Sequence, residues 1–308
     1  MRKKEARLAV NIGKLKLKNP VMVASGTFGY AEEFADFMNL KQLGAVVTKT
    51  ITLKPRQGNP PPRTCETPAG MLNSIGLENP GVDAFISKKL PILKKIGAPV
   101  IVSIASEGDP DEFISLAKRL DKINGAAAIE LNISCPNIRG KTSLISQDPG
   151  STFKVVKMVR EVTGKTLITK LSPNVTDITE IAAAAEKAGS DAVSLINTLT
   201  GTSIDTDTKR PRIASVIAGL SGPAIRPVAV RMIWEVSRKI KIPIIGMGGI
   251  MDTPSALEFF IAGASAISTG TANFINPALS VEIISGLKKY LARNKLRDIK
   301  ELVGTLKS

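Results

Sequence analysis

The chain is predicted to be an α/β protein built as a (β/α)8 barrel, a TIM barrel, on three observations. Eight short runs rich in β-branched residues recur along it, each bounded by glycine, proline or other turn residues. Between them lie stretches with apolar residues at three- and four-residue spacing, the period of an amphipathic helix. Strand then helix, repeated eight times, is the rhythm of a closed parallel barrel. The third observation is a proline- and glycine-rich segment between the second and third runs, LKPRQGNPPPRTCETPAGMLNSIGLENPGV, too long for a bare connection and expected to fold over the barrel mouth. The length, 308 residues, suits one barrel domain over 1–308, since such barrels take about 250 residues before decoration.

In chain order the strands are PVMVASG, GAVVTKT, PVIVSIA, AAIELNIS, TLITKLSP, AVSLINT, PIIGMGG and AISTGTA. The helical stretches include DEFISLAKRLDKIN, STFKVVKMVREVT, DITEIAAAAEKAG, IRPVAVRMIWEVSRKI and TPSALEFFIAGA, and the basic tail LKKYLARNKLRDIK reads as the exposed face of a terminal helix. An open doubly wound sheet is the weaker alternative, because no Gly-x-Gly-x-x-Gly turn follows the first strand.

Composition narrows the class of protein. With 43% hydrophobic and 22% charged residues the chain can bury a large core. Its two cysteines, Cys65 and Cys135, are far apart, so they form neither a disulfide framework nor a cysteine-ligated cluster, and a reducing cytoplasm is the expected compartment. The opening MRKKEARLAV offers only LAV as an apolar core, too short for a signal peptide, and no later segment approaches the roughly 18 apolar residues of a membrane span. The net charge of +15 is carried by scattered lysines and arginines with one tryptophan and two tyrosines for stacking, which argues against nucleic acid and for a solvated basic surface with a site for small anions.

Barrel enzymes build their sites at the C-terminal ends of the strands. Those ends carry Ser25, Lys49 with Thr50, Ser103, Asn132, Lys170, Asn197 with Thr198, Gly248 with Gly249, and Gly270 with Thr271. An inward lysine is costly unless an anion meets it, and two of them beside asparagines favour a negatively charged ligand with amide-like edges. Tight glycine turns after strands seven and eight, GMGGI and TGTA, offer backbone N–H groups where this fold holds phosphate. Together these fit a flat phosphorylated cofactor such as flavin mononucleotide (FMN) lying across the mouth. In NISCPN, Cys135 stands between Asn132 and Asn137 in a chain with no histidine. A lone intracellular cysteine is more often a small buried hydrophobe than a catalyst, but a proton-abstracting reaction here would need a base other than histidine, and Cys135 is the candidate. Cys65, in RTCETP, reads as structural.

The stretches ETPAGMLNSIGLENPGV, NISCPN, KLSPNVTDI, NTLTGTSID, GLSGPAIRPVA, IPIIGMGGI and GTANF, in this order over nearly the whole chain, resemble the class 1 dihydroorotate dehydrogenases and within them the class 1B catalytic subunits. The resemblance implies oxidation of dihydroorotate to orotate on FMN in pyrimidine biosynthesis. It also implies a homodimer core joined to a second subunit carrying FAD and a two-iron two-sulfur cluster that passes electrons to NAD, the whole a heterotetramer. It implies flavin contacts from Ser25, Lys49, Thr50, Asn132, Lys170, Ile196, Gly222, Gly248, Gly249, Gly270 and Thr271. It places the substrate against Lys49, Asn73, Ser74, Ile75, Gly76, Leu77, Asn132, Asn137, Asn197 and Thr198, with Cys135 as the base. Ser103, where the family usually has asparagine beneath the flavin, and Ala218, where a glycine usually precedes GLSG, depart from the pattern, and the loop SCPNIRGKTSLISQDPG lacks some of the family's glycines. A dihydrouracil-type dehydrogenase on the same scaffold is the alternative enzyme, and an inert barrel acting as a binding protein is the alternative of another class. Lys49 and the NSIGL segment favour a substrate bearing a carboxylate.

Overall fold

Eight strands close into a parallel barrel: β1 (Val21–Val23), β2 (Ala45–Val47), β3 (Val100–Ile104), β4 (Ala128–Asn132), β5 (Thr166–Lys170), β6 (Ala192–Leu195), β7 (Ile244–Gly246) and β8 (Ala266–Thr269). Each pairs with the next in chain order, and β8 pairs with β1 to shut the ring. The computed structural model describes residues 6–133 and 145–307. Every residue of these eight strands is buried, as expected when side chains pack into the barrel on one face and under helices on the other. That is why the runs read as continuously apolar instead of alternating.

The helices that cover the barrel are α1 (Leu90–Lys95), α2 (Pro110–Asp121), α3 (Pro149–Arg160), α4 (Ile178–Lys187), α5 (Arg226–Ser237), α6 (Thr253–Ala262) and α7 (Leu279–Arg293). Four start from an aspartate whose side chain accepts a backbone N–H of the first turn: Asp109, Asp148, Asp177 and Asp252. A cap of this kind stabilises a helix by about 1 kcal/mol. At Asp148 and Asp177 the bonds to the Ser151 and Thr179 side chains, then to their backbone N–H groups, hold the carboxyl below its ordinary pKa.

The first βα unit departs from the expected rhythm. Between β1 and β2 the chain makes only the short 3-10 turns Glu32–Phe34 and Leu40–Gln42, and Phe28 stacked on Phe34 at 3.8 Å takes the place of a helix face. Conversely, the chain after the long insertion forms a helical turn, Gly81–Ala84, that passes through a π-helical stretch, Phe85–Lys89, into α1, a helix not foreseen from the sequence. The basic tail is not one helix either. The last helix ends at Arg293, Lys295 turns left-handed at φ 59°, and a separate 3-10 turn spans Ile299–Leu302. Leu287 and Leu291 are fully buried, so this segment anchors to the core as well as presenting lysines to solvent.

Three small sheets decorate the barrel among the described residues, the smallest pairing Ile204–Asp205 with Arg210–Pro211. An antiparallel hairpin, Val10–Ile12 with Leu15–Leu17, lies at its base, where Lys14 N–H donates to Thr166 Oγ1 at 3.2 Å. Over the mouth, a four-stranded antiparallel sheet joins Thr64–Thr67 and Gly70–Asn73, both from the insertion, to Ala218–Ser221 and Leu199–Gly201 from the loop after β6. Ala218 is buried in this sheet against Leu72 and Ile213, so a methyl group is accommodated where the family pattern has glycine.

Candidate active site

A single cavity at the C-terminal ends of the strands gathers residues from the ends of seven of the eight strands, all but β3, and from the covering sheet. Its floor on one side is built from side chains. Thr50 Oγ1 is a hub, 3.0 Å from Ser25 Oγ, 2.9 Å from Ser103 Oγ and 3.3 Å from Asn132 Nδ2, which donates to it. These hydroxyls tie β1, β2, β3 and β4 together just below the opening. Ser103 itself is fully buried and does not line the cavity. Its role in this structure is to anchor Thr50, which a shorter side chain than asparagine can do.

Lys170 closes β5, and the register sets it beside Asn132 on one side and Ser194 on the other. Register-paired neighbours of a parallel sheet project to the same face, so the lysine lies inside the barrel with the asparagine. It is 6% exposed, and among the described residues no carboxylate pairs with it. A buried ammonium is costly to desolvate unless a negative group answers it. Lys49, half-buried at the end of β2, also faces the cavity.

The opposite wall is built from backbone. Gly249 has φ 77°, and a Cβ there would come within 2.7 Å of Arg226 Cβ and 2.8 Å of the Gly222 carbonyl oxygen. Gly222 has φ 96°, and a Cβ there would sit 2.8 Å from Gly70 Cα. These positions require glycine for both conformation and space. Gly270 is different, since a Cβ there would meet only Ala24 and Thr27, at 3.9 and 4.0 Å. Protein packing does not demand a glycine at that point of the rim. Thr271 Oγ1 donates to Ser221 Oγ at 2.8 Å and fixes the turn after β8 against the covering sheet.

Of the residues expected from the sequence, the cavity brings together Ser25, Lys49, Thr50, Asn73, Ile75, Gly76, Leu77, Asn132, Lys170, Ile196, Asn197, Thr198, Gly222, Gly248, Gly249, Gly270 and Thr271. Ser74 is not in its lining: the side chain is buried, and its hydroxyl accepts from Asn59 Nδ2 at 2.7 Å. Cys135 and Asn137 lie outside the described residues. Cys65 sits in the covering sheet with its thiol directed to the Glu66 carbonyl at 3.3 Å. Sequence reasoning missed the apolar part of the lining, Met71, Met247, Met251, Ile225 and Ile250. The only available signal was their position beside residues already singled out, as in GMGGIM.

Comparison with known proteins agrees with this geometry. A family model described as "Dihydroorotate dehydrogenase" matches residues 7–291. The chain belongs to the dihydroorotate dehydrogenase family. Among relatives named "Dihydroorotate dehydrogenase B (NAD(+)), catalytic subunit", the protein of Trichlorobacter lovleyi is 55% identical over 299 residues, 97% of this chain and 98% of the relative. That of Thermoanaerobacter sp. is 54% identical over 97% of this chain and 99% of the relative. That of Geobacter metallireducens is 53% identical over 98% and 99%. No helix among the described residues is long and apolar enough to cross a membrane.

Proposed function

We propose that this chain oxidises dihydroorotate to orotate in pyrimidine biosynthesis as the FMN-holding subunit of a cytoplasmic complex. In this reading a homodimer core docks a second subunit carrying FAD and a two-iron two-sulfur cluster, which passes the electrons to NAD. The observation that carries it is Lys170, a buried ammonium without a protein carboxylate, set across the mouth from a wall of glycine turns. The residues fit FMN: Gly222 and Gly249 hold their turns where side chains would clash, Gly270 leaves its rim open, and Met247, Ile225 and Ile250 offer an apolar shelf. Bound FMN supplies a two-electron acceptor for a hydride from a ring carbon of the substrate.

The remaining work falls to this chain. Ser25, Thr50, Asn132 and Ile196 would hold the ring of the cofactor, and Gly222, Gly248, Gly249, Gly270 and Thr271 would hold its phosphate through backbone N–H groups. Lys170 would place a positive charge beside the bound cofactor and so favour its reduced, more negative form. Lys49 pairs with the substrate carboxylate. Asn73, Asn132, Asn137 and Asn197, with Thr198 and the Ser74–Leu77 backbone, match the alternating N–H and C=O groups of the pyrimidine ring, because an amide is both donor and acceptor. Cys135 takes the proton from the carbon next to the one that loses hydride.

Stopped-flow reduction of the bound flavin by dihydroorotate tests the assignment. The purified chain should be yellow and should accept dihydroorotate but not dihydrouracil. Cys135→Ala should keep FMN and orotate binding while reduction slows on the order of a hundredfold or more. Cys135→Ser should keep a trace that grows at high pH. Since a free thiol ionises near about pH 8.5, the unmodified rate should climb through the alkaline range. Near-normal reduction in Cys135→Ala, or loss of reduction in Cys65→Ala instead, identifies a different base.

A further inference from the structure

Below Asn132 and Lys170, inside the barrel, lies an acid that the reaction outlined above does not use. Glu130 is on β4, two residues before Asn132 and therefore on the same inner face, where it pairs in register with Ser103 and Ile168. It is 2% exposed. Ser194 Oγ donates to its Oε2 at 2.9 Å, and its Oε1 is buried with no hydrogen-bond partner among the described residues. Ser194 is also the register partner of Lys170. The barrel interior thus stacks a buried carboxylate with one unanswered oxygen one layer beneath a buried ammonium with no paired acid, and a serine links the two positions. A carboxylate half-satisfied in a dry core is strongly destabilising unless a nearby positive charge compensates it.

We propose that Glu130, which makes no direct ion pair with Lys170, acts on it through the barrel interior: its charge offsets part of the ammonium's field and tempers, without cancelling, the pull on negative charge in the cavity above. The inference rests on the FMN reading only for its effect on the cofactor. Glu130→Gln keeps the shape and the Ser194 bond but removes the charge, leaving the ammonium free to favour the more negative, reduced flavin. The ratio of oxidised to reduced flavin dissociation constants should then rise about tenfold, which is about 30 mV more positive for a two-electron couple. Dye-linked equilibrium titration of the bound flavin reads this shift directly. A purely structural glutamate would leave the potential in place and change only stability.

The second measurement needs no flavin. In urea unfolding of the full-length chain stripped of cofactor, Lys170→Met should lower the midpoint by leaving Glu130 uncompensated, and adding Glu130→Gln should restore part of the loss. If Glu130→Gln alone does not fold but the double variant does, the coupling is confirmed. Simple addition of the two losses, failure of the double variant where Lys170→Met folds, or an unchanged potential in Glu130→Gln overturns the proposal. A chain that binds no FMN would defeat the functional reading instead, and the urea cycle would still decide the charge pairing.

Discussion

The two walls of the cavity are made of different material. From β1 to β6 the lining is side chains, Ser25, Lys49, Thr50, Asn132, Lys170 and Asn197, held by a hydroxyl hub and by strand register. Around β7 and β8, and at the end of the long loop after β6, the polar lining is mostly backbone, turned at Gly222, Gly248, Gly249 and Gly270. Side chains can carry charge and be matched to a particular ring edge, so in the proposed function that wall governs chemistry and selectivity. Backbone N–H groups recognise a phosphate of any ligand and depend on conformation alone, so in the proposed function that wall governs affinity. The division predicts that substitutions on the first wall change rates more than binding, and that those on the second do the reverse.

The largest effect is expected at Lys170. Lys170→Ala removes the one buried cation at the head of β5 and should slow flavin reduction by dihydroorotate on the order of a hundredfold to a thousandfold, with flavin affinity falling far less. Rapid-mixing absorbance and a flavin titration on the same sample give both numbers. A variant that loses both equally would erase the distinction between the walls.

Next comes Gly249→Ala. A non-glycine residue at φ 77° with its Cβ 2.8 Å from the Gly222 carbonyl forces the turn to move. Strain of about 1–3 kcal/mol should weaken FMN binding about tenfold to a hundredfold, while the enzyme saturated with flavin keeps most of its reduction rate. Fluorescence quenching measures the affinity. A rate loss at saturation that exceeds the affinity loss would assign chemistry to the backbone wall.

The backbone wall was nearly as legible in the sequence as the side-chain wall, for a physical reason. Gly248 and Gly249 stand where a side chain would be strained and crowded, so GMGGI advertises its turn, and a lysine ending an apolar strand advertises its cost. What the sequence hid were effects of three-dimensional partnership. Thr50 is one hydroxyl among many until three strands bring Ser25, Ser103 and Asn132 to it. Glu130 reads as a polar interruption in IELNIS, and only closure of the barrel sets it against Ser194. The missing helix after β1 and the uncounted helix after the insertion were hidden likewise, because short 3-10 and π segments carry no clean period.

Thr50→Val tests the hub with a smaller effect. It keeps the shape but removes the oxygen that Ser25, Ser103 and Asn132 share, at a cost of about 1–3 kcal/mol. Urea unfolding of the flavin-free chain should show it as a lowered midpoint. Ser103→Ala, which removes one of the three bonds and does not touch the cavity, should cost less. If Ser103→Ala costs as much as Thr50→Val, the hub is not the organising element of this wall.

The smallest effect is expected at the far end of the barrel and serves as the control for both walls. Asp121 ends α2 at the base, where its Oδ1 accepts from Thr163 Oγ1 at 2.7 Å and from Gly164 N–H at 2.8 Å. Those bonds, the hydroxyl first, hold its carboxyl below the ordinary value. A depressed folded-state pKa means that the ionised form stabilises the fold at pH values above the unfolded carboxyl's pKa, and that this contribution disappears as pH falls through the lowered one. The site is near the surface, so solvent screening limits the contribution to under about 1 kcal/mol. Asp121→Asn retains an acceptor but no charge, and should therefore be slightly less stable than the unmodified chain at pH 7. The gap should narrow below about pH 4, where the carboxyl begins to protonate in the unfolded chain while the folded one still resists. Urea midpoints at pH 7 and pH 3 give the two values, and flavin affinity should be the same in both proteins. A gap that persists at pH 3 would trace the effect to amide geometry instead of charge. A change in flavin affinity would show that the base of the barrel communicates with its mouth, and the two-wall account of binding would then be incomplete.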